Sequence, residues 1–320
     1  MIILGTPLNG VPKPWEHFDV PAIMVNAYEI VRSKKLKEEI RKAGSLKNFM
    51  NYDGTIYVDS GGYQAMKNKI DIDLNELKEV YKITRADYYF SLDYPSSSVG
   101  YDNEKTNLTI SNYLKLKKYF DELIPVIHPP FRRAIEEFKI YRRYGSKYVA
   151  IGGLVPLVLT SRGISRGRKR AIDLIIEIRR KHNGQLHAMG LGAPTVIPIL
   201  KLLNFTSTDS ASWRIKAAHG KIMLPCGGER YISNRRKAKF GIVHLNNNEK
   251  KIIEKMGCPI LESYGWEGLK ESFKIRALFN AWITLHALEK NNLSGPFYKL
   301  MEYTKERIKA KYAKDICSYQ

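Results

Sequence analysis

Short apolar segments alternate with helical patterns along this chain, and this alternation restricts its fold more than any other feature. Eight segments are predicted to be buried strands because they are rich in β-branched and aromatic residues and are bounded by turn residues. They are residues 21–26, 55–59, 88–93, 123–128, 148–153, 187–192, 205–209 and 221–225, after an irregular, proline-containing start. Helical patterns separate most of them, which predicts an α/β fold with a parallel sheet. The count of eight favours a (β/α)8 TIM barrel with a short C-terminal helical extension.

An open, doubly wound sheet is the competing architecture for a chain of 320 residues. Against it, the first strand–helix turn carries no G-x-G-x-x-G fingerprint, and the sequence contains no P-loop. We expect residues 1–228 to form the barrel. Residues 229–320 are expected to form a basic segment and a helical extension packed on it.

The charge of the chain indicates a polyanionic partner. There are 53 Lys and Arg residues against 32 Asp and Glu residues, which gives +21 at pH 7. Nucleic acid is the leading candidate, and an anionic membrane surface is the weaker one. No apolar run is long enough to span a bilayer and residues 1–5 are too short and uncharged for a signal peptide, so we expect a soluble, cytoplasmic protein without a membrane partner. The three cysteines are far apart and odd in number, which suits a reducing compartment.

Two basic segments are candidates for contacts with a phosphate backbone. Residues 161–170 follow the fifth predicted strand, and residues 229–240 place five cations among twelve residues. Most such runs are solvated surface, but the overall charge favours phosphate contacts here. The cationic side chains predicted to bind nucleic acid are Arg162, Arg166, Arg168, Arg214, Lys216, Arg230, Arg235 and Arg236.

Three predicted strands end in a carboxylate: Asp59, Asp93 and Asp209. In a barrel, the carboxyl ends of the strands meet at one mouth. One carboxylate there can attack or stabilise an anomeric carbon while another moves the proton of the leaving group. A third can accept hydrogen bonds from two adjacent N–H groups, such as N1 and N2 of guanine. Each aspartate alone has a simpler explanation as the cap of a helix or turn.

Together with their neighbours, these residues resemble the tRNA-guanine transglycosylase superfamily, and most of all its 7-deazaguanine DNA transglycosylases of the DpdA type. The segment 59–64, Asp-Ser-Gly-Gly-Tyr-Gln, is similar to the family signature D-S-G-G-[FY]-Q. Similar segments follow the family order over residues 21–225: Met24 to Tyr28, Gly152 to Leu154, Met189 to Gly192, and Asp209 to Gly220.

The resemblance implies a reaction and a set of site residues. Asp209 would attack C1′ of the target guanosine, and Asp59 would be the general acid and base. The base would be bound by Asp93, Ser60, Tyr63, Gln64, His128, Gly153, Leu154 and Met189. His128 stands where the family has a glutamine, and it is either a base-binding residue or a satisfied core histidine. The incoming base would be a 7-deazaguanine such as 7-cyano-7-deazaguanine (preQ0), with no cofactor required because one glycosidic bond replaces another.

The chain also departs from the family pattern. The zinc cluster C-x-C-x-x-C with a distant histidine is not intact, and Cys226, Cys258 and His286 are what remains to hold a structural zinc. We expect that packing has replaced the metal. With the short tail, this departure favours exchange in DNA over exchange in tRNA, the main alternative.

Two further readings remain. A non-catalytic nucleic-acid-binding barrel subunit would have no chemical reason to keep both Asp59 and Asp209. A glycoside hydrolase acting on sugars would leave the charge unexplained. The resemblance leaves open whether an ATPase or helicase-like partner opens the duplex and whether the barrel forms a homodimer.

Overall fold

The computed structural model describes residues 1–95, 102–159, 165–225, 227–234, 242–286 and 296–317. Its strands are β1 (Ile2–Gly5), β2 (Ala22–Asn26), β3 (Thr55–Asp59), β4 (Tyr88–Phe90), β5 (Leu123–Ile124), β6 (Val126–Ile127), β7 (Tyr148–Ile151), β8 (Gln185–Ala188), β9 (Ser207–Ser210), β10 (Lys221–Met223) and β11 (Glu229–Tyr231). Its helices are α1 (Ala27–Val31), α2 (Lys34–Ala43), α3 (Leu46–Met50), α4 (Gly62–Asn68), α5 (Leu74–Thr84), α6 (Asn103–Leu116), α7 (Phe131–Arg143), α8 (Val155–Val158), α9 (Ser165–Lys181), α10 (Ile197–Leu202), α11 (Ser212–Ala218), α12 (Asn247–Glu254), α13 (Pro259–Glu271), α14 (Phe273–His286) and α15 (Pro296–Cys317).

The first nine strands form one parallel sheet that closes into a barrel with eight strand positions. Their order is β5-β4-β3-β2-β1-β9-β8-β7-β6. Strands β5 and β6 are the two halves of one extended segment, interrupted at Pro125, which has no N–H to donate to the ladder. Because β5 pairs with β4 and β6 pairs with β7, this segment closes the ring. The predicted TIM barrel is confirmed.

One of the eight predicted barrel strands is wrong. The sequence predicts an irregular N-terminus, but β1 lies there and pairs with both β2 and β9. Residues 221–225 are predicted as the eighth barrel strand, but β10 pairs antiparallel with β11 in a separate two-stranded sheet. Both segments are short and apolar, so the local pattern cannot decide which one enters the barrel. The tertiary contacts decide it, because Ile3 is fully buried in the barrel interior.

Inward-facing side chains fill the barrel, and outward-facing side chains pack against the surrounding helices. The interior cluster consists of Ile3, Ala22, Met24, Tyr57, Phe90, Ile124, Val126, Tyr148 and Ala150. A separate cluster joins β10 to the C-terminal helices through Ile222, Met223, Ile253, Phe279 and Ile283. Residues 221–223 therefore pack with the C-terminal part. The division of the chain at residue 228 stays a prediction.

The C-terminal helices are tied to the barrel by polar contacts. The side chain of Asn280 in α14 accepts a hydrogen bond from the backbone N–H of Met223 at 2.8 Å and donates to the carbonyl of Trp213 at 3.1 Å. In α15, Arg307 donates to Asp173 of α9 at 2.7 Å. Among the described residues, no helix has both the length and the apolar character needed to cross a bilayer.

Candidate active site

Strand alternation places the candidate residues in one layer above the barrel interior. Successive side chains of a strand point to opposite faces, so a residue two positions beyond an inward-facing one also points inward. Met24 and Tyr57 belong to the interior cluster, and Asn26 and Asp59 follow them by two residues. The register of the sheet pairs Asn26 with Asp59, at the mouth where the strands end.

Asp59 is held in an environment that favours its protonated form. The Asn26 side-chain amide donates a hydrogen bond to Asp59 Oδ2 at 3.0 Å. Burial raises the pKa of Asp59 to about 8, with the nearby carboxylates of Asp93 and Asp209 adding to the effect. A carboxyl group with this pKa carries a proton at neutral pH, so it can protonate a leaving group.

Asp209 is oriented through one of its two oxygens. Its Oδ1 atom accepts the backbone N–H of Gly190 at 2.7 Å and lies 3.1 Å from Nε2 of the fully buried His187. Nδ1 of His187 lies 2.6 Å from the hydroxyl of Ser207. If Ser207 donates to Nδ1, then Nε2 carries the proton and donates to Asp209. Within the described part of the chain, Oδ2 of Asp209 has no hydrogen-bond donor, which leaves it available for a substrate.

Asp93 follows β4 and is almost completely buried. Its Oδ1 atom accepts a hydrogen bond from the Ser60 hydroxyl at 3.3 Å, and its Oδ2 atom lies 2.8 Å from Nε2 of His128. The turn after Asp59 approaches Asp93 closely, since a Cβ atom at Gly62 would lie 2.1 Å from the carbonyl oxygen of Asp93. Only glycine fits there.

The remaining residues predicted to bind the base lie at the same mouth or in the turns after the strands. Tyr63 is 59% exposed, whereas the side-chain oxygen of Gln64 is buried and has no hydrogen-bond partner among the described residues. Gly153 follows β7 with a φ of +65°, a conformation that favours glycine, and Leu154 beside it is buried. Met189 follows β8 and packs against the interior cluster.

The structure also identifies functional candidates that the sequence analysis did not consider. His187 is one of them, and the two-residue period of a strand was the available signal, because the predicted strand 187–192 places His187 two residues before Met189. Arg133 and Glu137 of α7 are two more, both fully buried behind His128. No local pattern predicts this burial, since charged residues four apart on a helix are usually a solvated pair.

The described cations predicted to bind nucleic acid make contacts within the chain. The Arg168 guanidinium donates to the carbonyl of Val158 at 2.9 Å, and that of Arg214 packs over Trp213 and Phe273. Two others form ion pairs, Lys216 with Glu229 and Arg230 with Glu249. Arg162, Arg235, Arg236 and the side chain of Arg166 lie outside the described residues.

The residues considered for zinc are only partly described. Cys258 is buried among apolar side chains of the C-terminal cluster. The ring of His286 stacks on Trp282, with its Nδ1 atom 2.9 Å from the Trp282 carbonyl oxygen. Cys226 lies outside the described residues. No group of three or more His, Cys, Asp and Glu residues within the described ranges is arranged to hold a metal ion, and the zinc site stays a prediction.

Comparison with known proteins tests the resemblance. A family model described as queuine tRNA-ribosyltransferase matches residues 9–316. Uncharacterized protein 306 of Sulfolobus islandicus rod-shaped virus 1 is 29% identical over 234 residues, which are 71% of this chain and 69% of that protein. The tRNA-guanine(15) transglycosylase of Nanoarchaeum equitans (strain Kin4-M) is 30% identical over 214 residues, which are 64% of this chain and 50% of the relative.

A second archaeal relative covers more of the chain at lower identity. The tRNA-guanine(15) transglycosylase of Pyrococcus abyssi (strain GE5 / Orsay) is 23% identical over 297 residues, which are 87% of this chain and 46% of the relative. The chain thus spans about half the length of the two transglycosylases. The family match covers nearly the whole barrel and its C-terminal helices, and the predicted superfamily is confirmed. This chain belongs to the queuine tRNA-ribosyltransferase family.

Proposed function

We propose that this protein is a nucleic-acid guanine transglycosylase that exchanges guanine for a 7-deazaguanine through a covalent intermediate on Asp209. The observation that carries the proposal is the contrast between two carboxyl groups at one mouth. Asp59 has its pKa raised to about 8, mainly by burial. Asp209 instead accepts the backbone N–H of Gly190 through Oδ1, which also lies 3.1 Å from Nε2 of His187, and presents Oδ2. Two carboxyl groups in such different environments suit the roles of acid and nucleophile.

The exchange proceeds in two steps that balance without a cofactor. In the first, Asp209 Oδ2 bonds to C1′ of the target nucleoside as the bond from C1′ to N9 of guanine breaks. The departing base takes the electron pair of that bond and the proton of Asp59. In the second, the Asp59 carboxylate removes the N9 proton of the incoming 7-deazaguanine, whose nitrogen attacks C1′ and releases Asp209.

The base-binding role of the remaining residues belongs to this proposal. Asp93 accepts hydrogen bonds from the pyrimidine edge of the base, and Ser60 and the backbone at Gly153 and Leu154 add polar contacts. The unpartnered side-chain oxygen of Gln64 supports a further contact with a donor on the base. Tyr63 and Met189 enclose the ring of the base. Tyr63 offers an aromatic face for stacking, and the flexible thioether of Met189 packs against the other side.

We further propose that the polynucleotide substrate is DNA. The altered zinc segment supports it, because it departs from the pattern of the family. The same exchange in tRNA is the second candidate, favoured by the names of the two archaeal relatives. In either case the net charge of +21 supports a polyanionic substrate. The cations in the predicted basic segments are the proposed phosphate contacts.

Covalent trapping tests the reaction and the polynucleotide together. The protein is incubated with labelled DNA or labelled tRNA and with 7-cyano-7-deazaguanine, and the products are separated on denaturing gels. We expect an adduct with DNA that is lost in Asp209→Ala and retained in Asp121→Ala, a control at an exposed aspartate. An adduct with tRNA alone selects the second candidate. Base exchange that persists in Asp209→Ala contradicts the proposed nucleophile.

A further inference from the structure

A buried network of four ionisable side chains lies beneath the mouth of the barrel, with His128 at its centre. Nε2 of His128 is 2.8 Å from Asp93 Oδ2, and its Nδ1 is 3.4 Å from Oε1 of Glu137. Arg133 Nε donates to the same Glu137 oxygen at 2.8 Å. His128, Arg133 and Glu137 are at most 1% exposed, and Asp93 is 6% exposed. Both ring nitrogens of His128 therefore have partners inside this network.

The network balances its charges. With His128 protonated, two carboxylates face two cations, and buried charges are tolerated when they are paired in this way. Burial alone lowers the pKa of His128, but Glu137 and Asp93 together raise it to about 9. Arg133 also donates to the Tyr94 carbonyl at 3.0 Å, which fixes the network to the loop after Asp93.

Nε2 of His128 carries a proton whether the imidazole ring is charged or neutral. As an imidazolium, the ring donates from Nε2 to Asp93 and from Nδ1 to Glu137. As a neutral ring, Nδ1 can accept from the Arg133 guanidinium 3.3 Å away, and Nε2 again carries the proton. The opposite tautomer would direct a nitrogen lone pair at the Asp93 carboxylate. Asp93 thus receives an N–H bond from His128 in either state.

The backbone also fixes the ring. A Cβ atom at Gly152 would lie 3.3 Å from Cδ2 and Nε2 of His128, so the imidazole packs tightly against this strand end. The His128 backbone N–H donates to Oε2 of Glu137 at 2.7 Å. Side chain and main chain of His128 are therefore held by the same carboxylate, which leaves the ring little freedom to turn away from Asp93.

We propose that His128 is a positioning residue that holds the Asp93 carboxylate at a fixed place, so that the site selects bases with two adjacent N–H donors. This inference rests on the proposed function and specifies how its base selection is achieved. The ionisable groups facing the imidazole are Asp93 after β4 and Glu137 and Arg133 of α7. Tyr141 of the same helix directs its hydroxyl to the Val126 carbonyl instead.

The inference has a consequence that a merely structural role does not have. Without the N–H of His128, the Oδ2 atom of Asp93 loses the donor that fixes it, and the carboxylate can turn. A carboxylate that turns no longer meets two adjacent N–H groups of a base at once. Loss of His128 should therefore weaken the binding of a base with two such donors more than that of a base with one.

The test measures binding of the free bases guanine and hypoxanthine by calorimetry, relative to the wild type. Hypoxanthine lacks the 2-amino group and hence one of the two donors. In His128→Phe, which keeps a ring but has no N–H donor, we expect guanine to bind at least about tenfold more weakly and hypoxanthine to lose less. The preference for guanine over hypoxanthine should therefore shrink. His182→Phe, which replaces a buried histidine bonded to the Gln185 carbonyl, is the matched control and should leave both affinities unchanged.

A second measurement needs no ligand. The ¹⁵N signals of the His128 imidazole, assigned by their absence in His128→Phe, should remain those of a protonated ring until the pH approaches about 9. Titration near the usual histidine value contradicts the network, and an unchanged preference for guanine in His128→Phe contradicts the role in base selection. A wild-type protein that binds neither base contradicts the proposed function itself, a result that differs from both.

Discussion

Nε2 of His187 lies 3.1 Å from Oδ1 of Asp209, and the two side chains enter the barrel from the adjacent strands β8 and β9. Behind His187, the hydroxyl of Ser207 connects its Nδ1 atom to the hydroxyl of Tyr148. If Tyr148 donates to Ser207 and Ser207 donates to His187, then Nε2 of His187 carries the proton that faces Asp209. The inside of the barrel therefore holds the proposed nucleophile in place.

Replacing His187 should slow the formation of the covalent adduct more than it weakens base binding. His187→Phe keeps a ring of similar size but removes the N–H donor to Asp209, so we expect the adduct to form about 10- to 100-fold more slowly. Quenched-flow sampling on denaturing gels measures this rate. Tyr148→Phe is the control, because Tyr148 is the residue of this hydrogen-bonded series most distant from Asp209. It should slow adduct formation much less. Equal losses in both variants would argue against the special position of His187.

The proton on Asp59 should set the alkaline limit of the exchange. Burial, reinforced by Asp93 and Asp209, raises its pKa to about 8. The acid form that protonates the leaving guanine is lost above this value, so kcat/KM for the nucleic acid should fall as the pH rises past about 8. Asp59→Asn cannot donate that proton and should lose the exchange at every pH. An unchanged rate up to pH 10 would show that Asp59 is not the acid.

The same group should make stability depend on pH. The folded pKa of about 8 lies above the ordinary value of 3.8, so the folded state binds this proton more tightly than the unfolded chain does. The stabilising contribution is complete below 3.8 and is lost as the pH rises through about 8. Thermal melts across this range should show a shallower decline in Asp59→Asn than in the wild type. Since His128 contributes a decline between its ordinary value of 6.5 and about 9, some slope should remain in the variant.

Seven of the eight predicted strands enter the barrel. They could be predicted because the spacing of apolar residues is a local property of the sequence. The exception is the segment 221–225. Ile2–Gly5 and Lys221–Met223 are both short apolar runs, and only the closure of the ring between β2 and β9 distinguishes them. Closure is a relation between distant segments, which local pattern does not contain.

The positions of Asp59, Asp93 and Asp209 followed from the rule that strand ends meet at one mouth. What surrounds them did not follow. Glu137 is a helical residue buried behind His128, and a carboxylate on a helix is ordinarily predicted to face solvent. The partner of His128 depends on how α7 packs on the barrel, so the choice between a base-binding and a core histidine could not be made from the sequence.

The glycine after Ser60–Gly61 should tolerate no side chain. A Cβ atom at Gly62 would lie 2.1 Å from the carbonyl oxygen and 2.9 Å from Oδ1 of Asp93, so Gly62→Ala must displace this carboxylate, which we propose binds the base. We expect a loss of about 1–3 kcal/mol in the free energy of unfolding together with loss of guanine binding. Gly145→Ala is the control, because its Cβ would meet no atom within 4 Å and only its φ of +74° opposes it. Guanine binding retained in Gly62→Ala would contradict the close approach.

The N-terminal strand should be essential to the barrel and to the position of Asp209, the proposed nucleophile. Ile3 is fully buried in the barrel interior, and the sheet register pairs it with Asp209. Ile3→Ala leaves a cavity beside the nucleophile strand, which should lower the free energy of unfolding by about 2–5 kcal/mol and slow adduct formation in the fraction that stays folded. Ile242→Ala, at a position 47% exposed, should change stability by no more than about 0.5 kcal/mol. Chemical denaturation of both variants measures the difference. If the two changes lower the free energy of unfolding equally, residues 2–5 do not form a barrel strand, because Ile3 in an irregular N-terminus would be exposed, as Ile242 is.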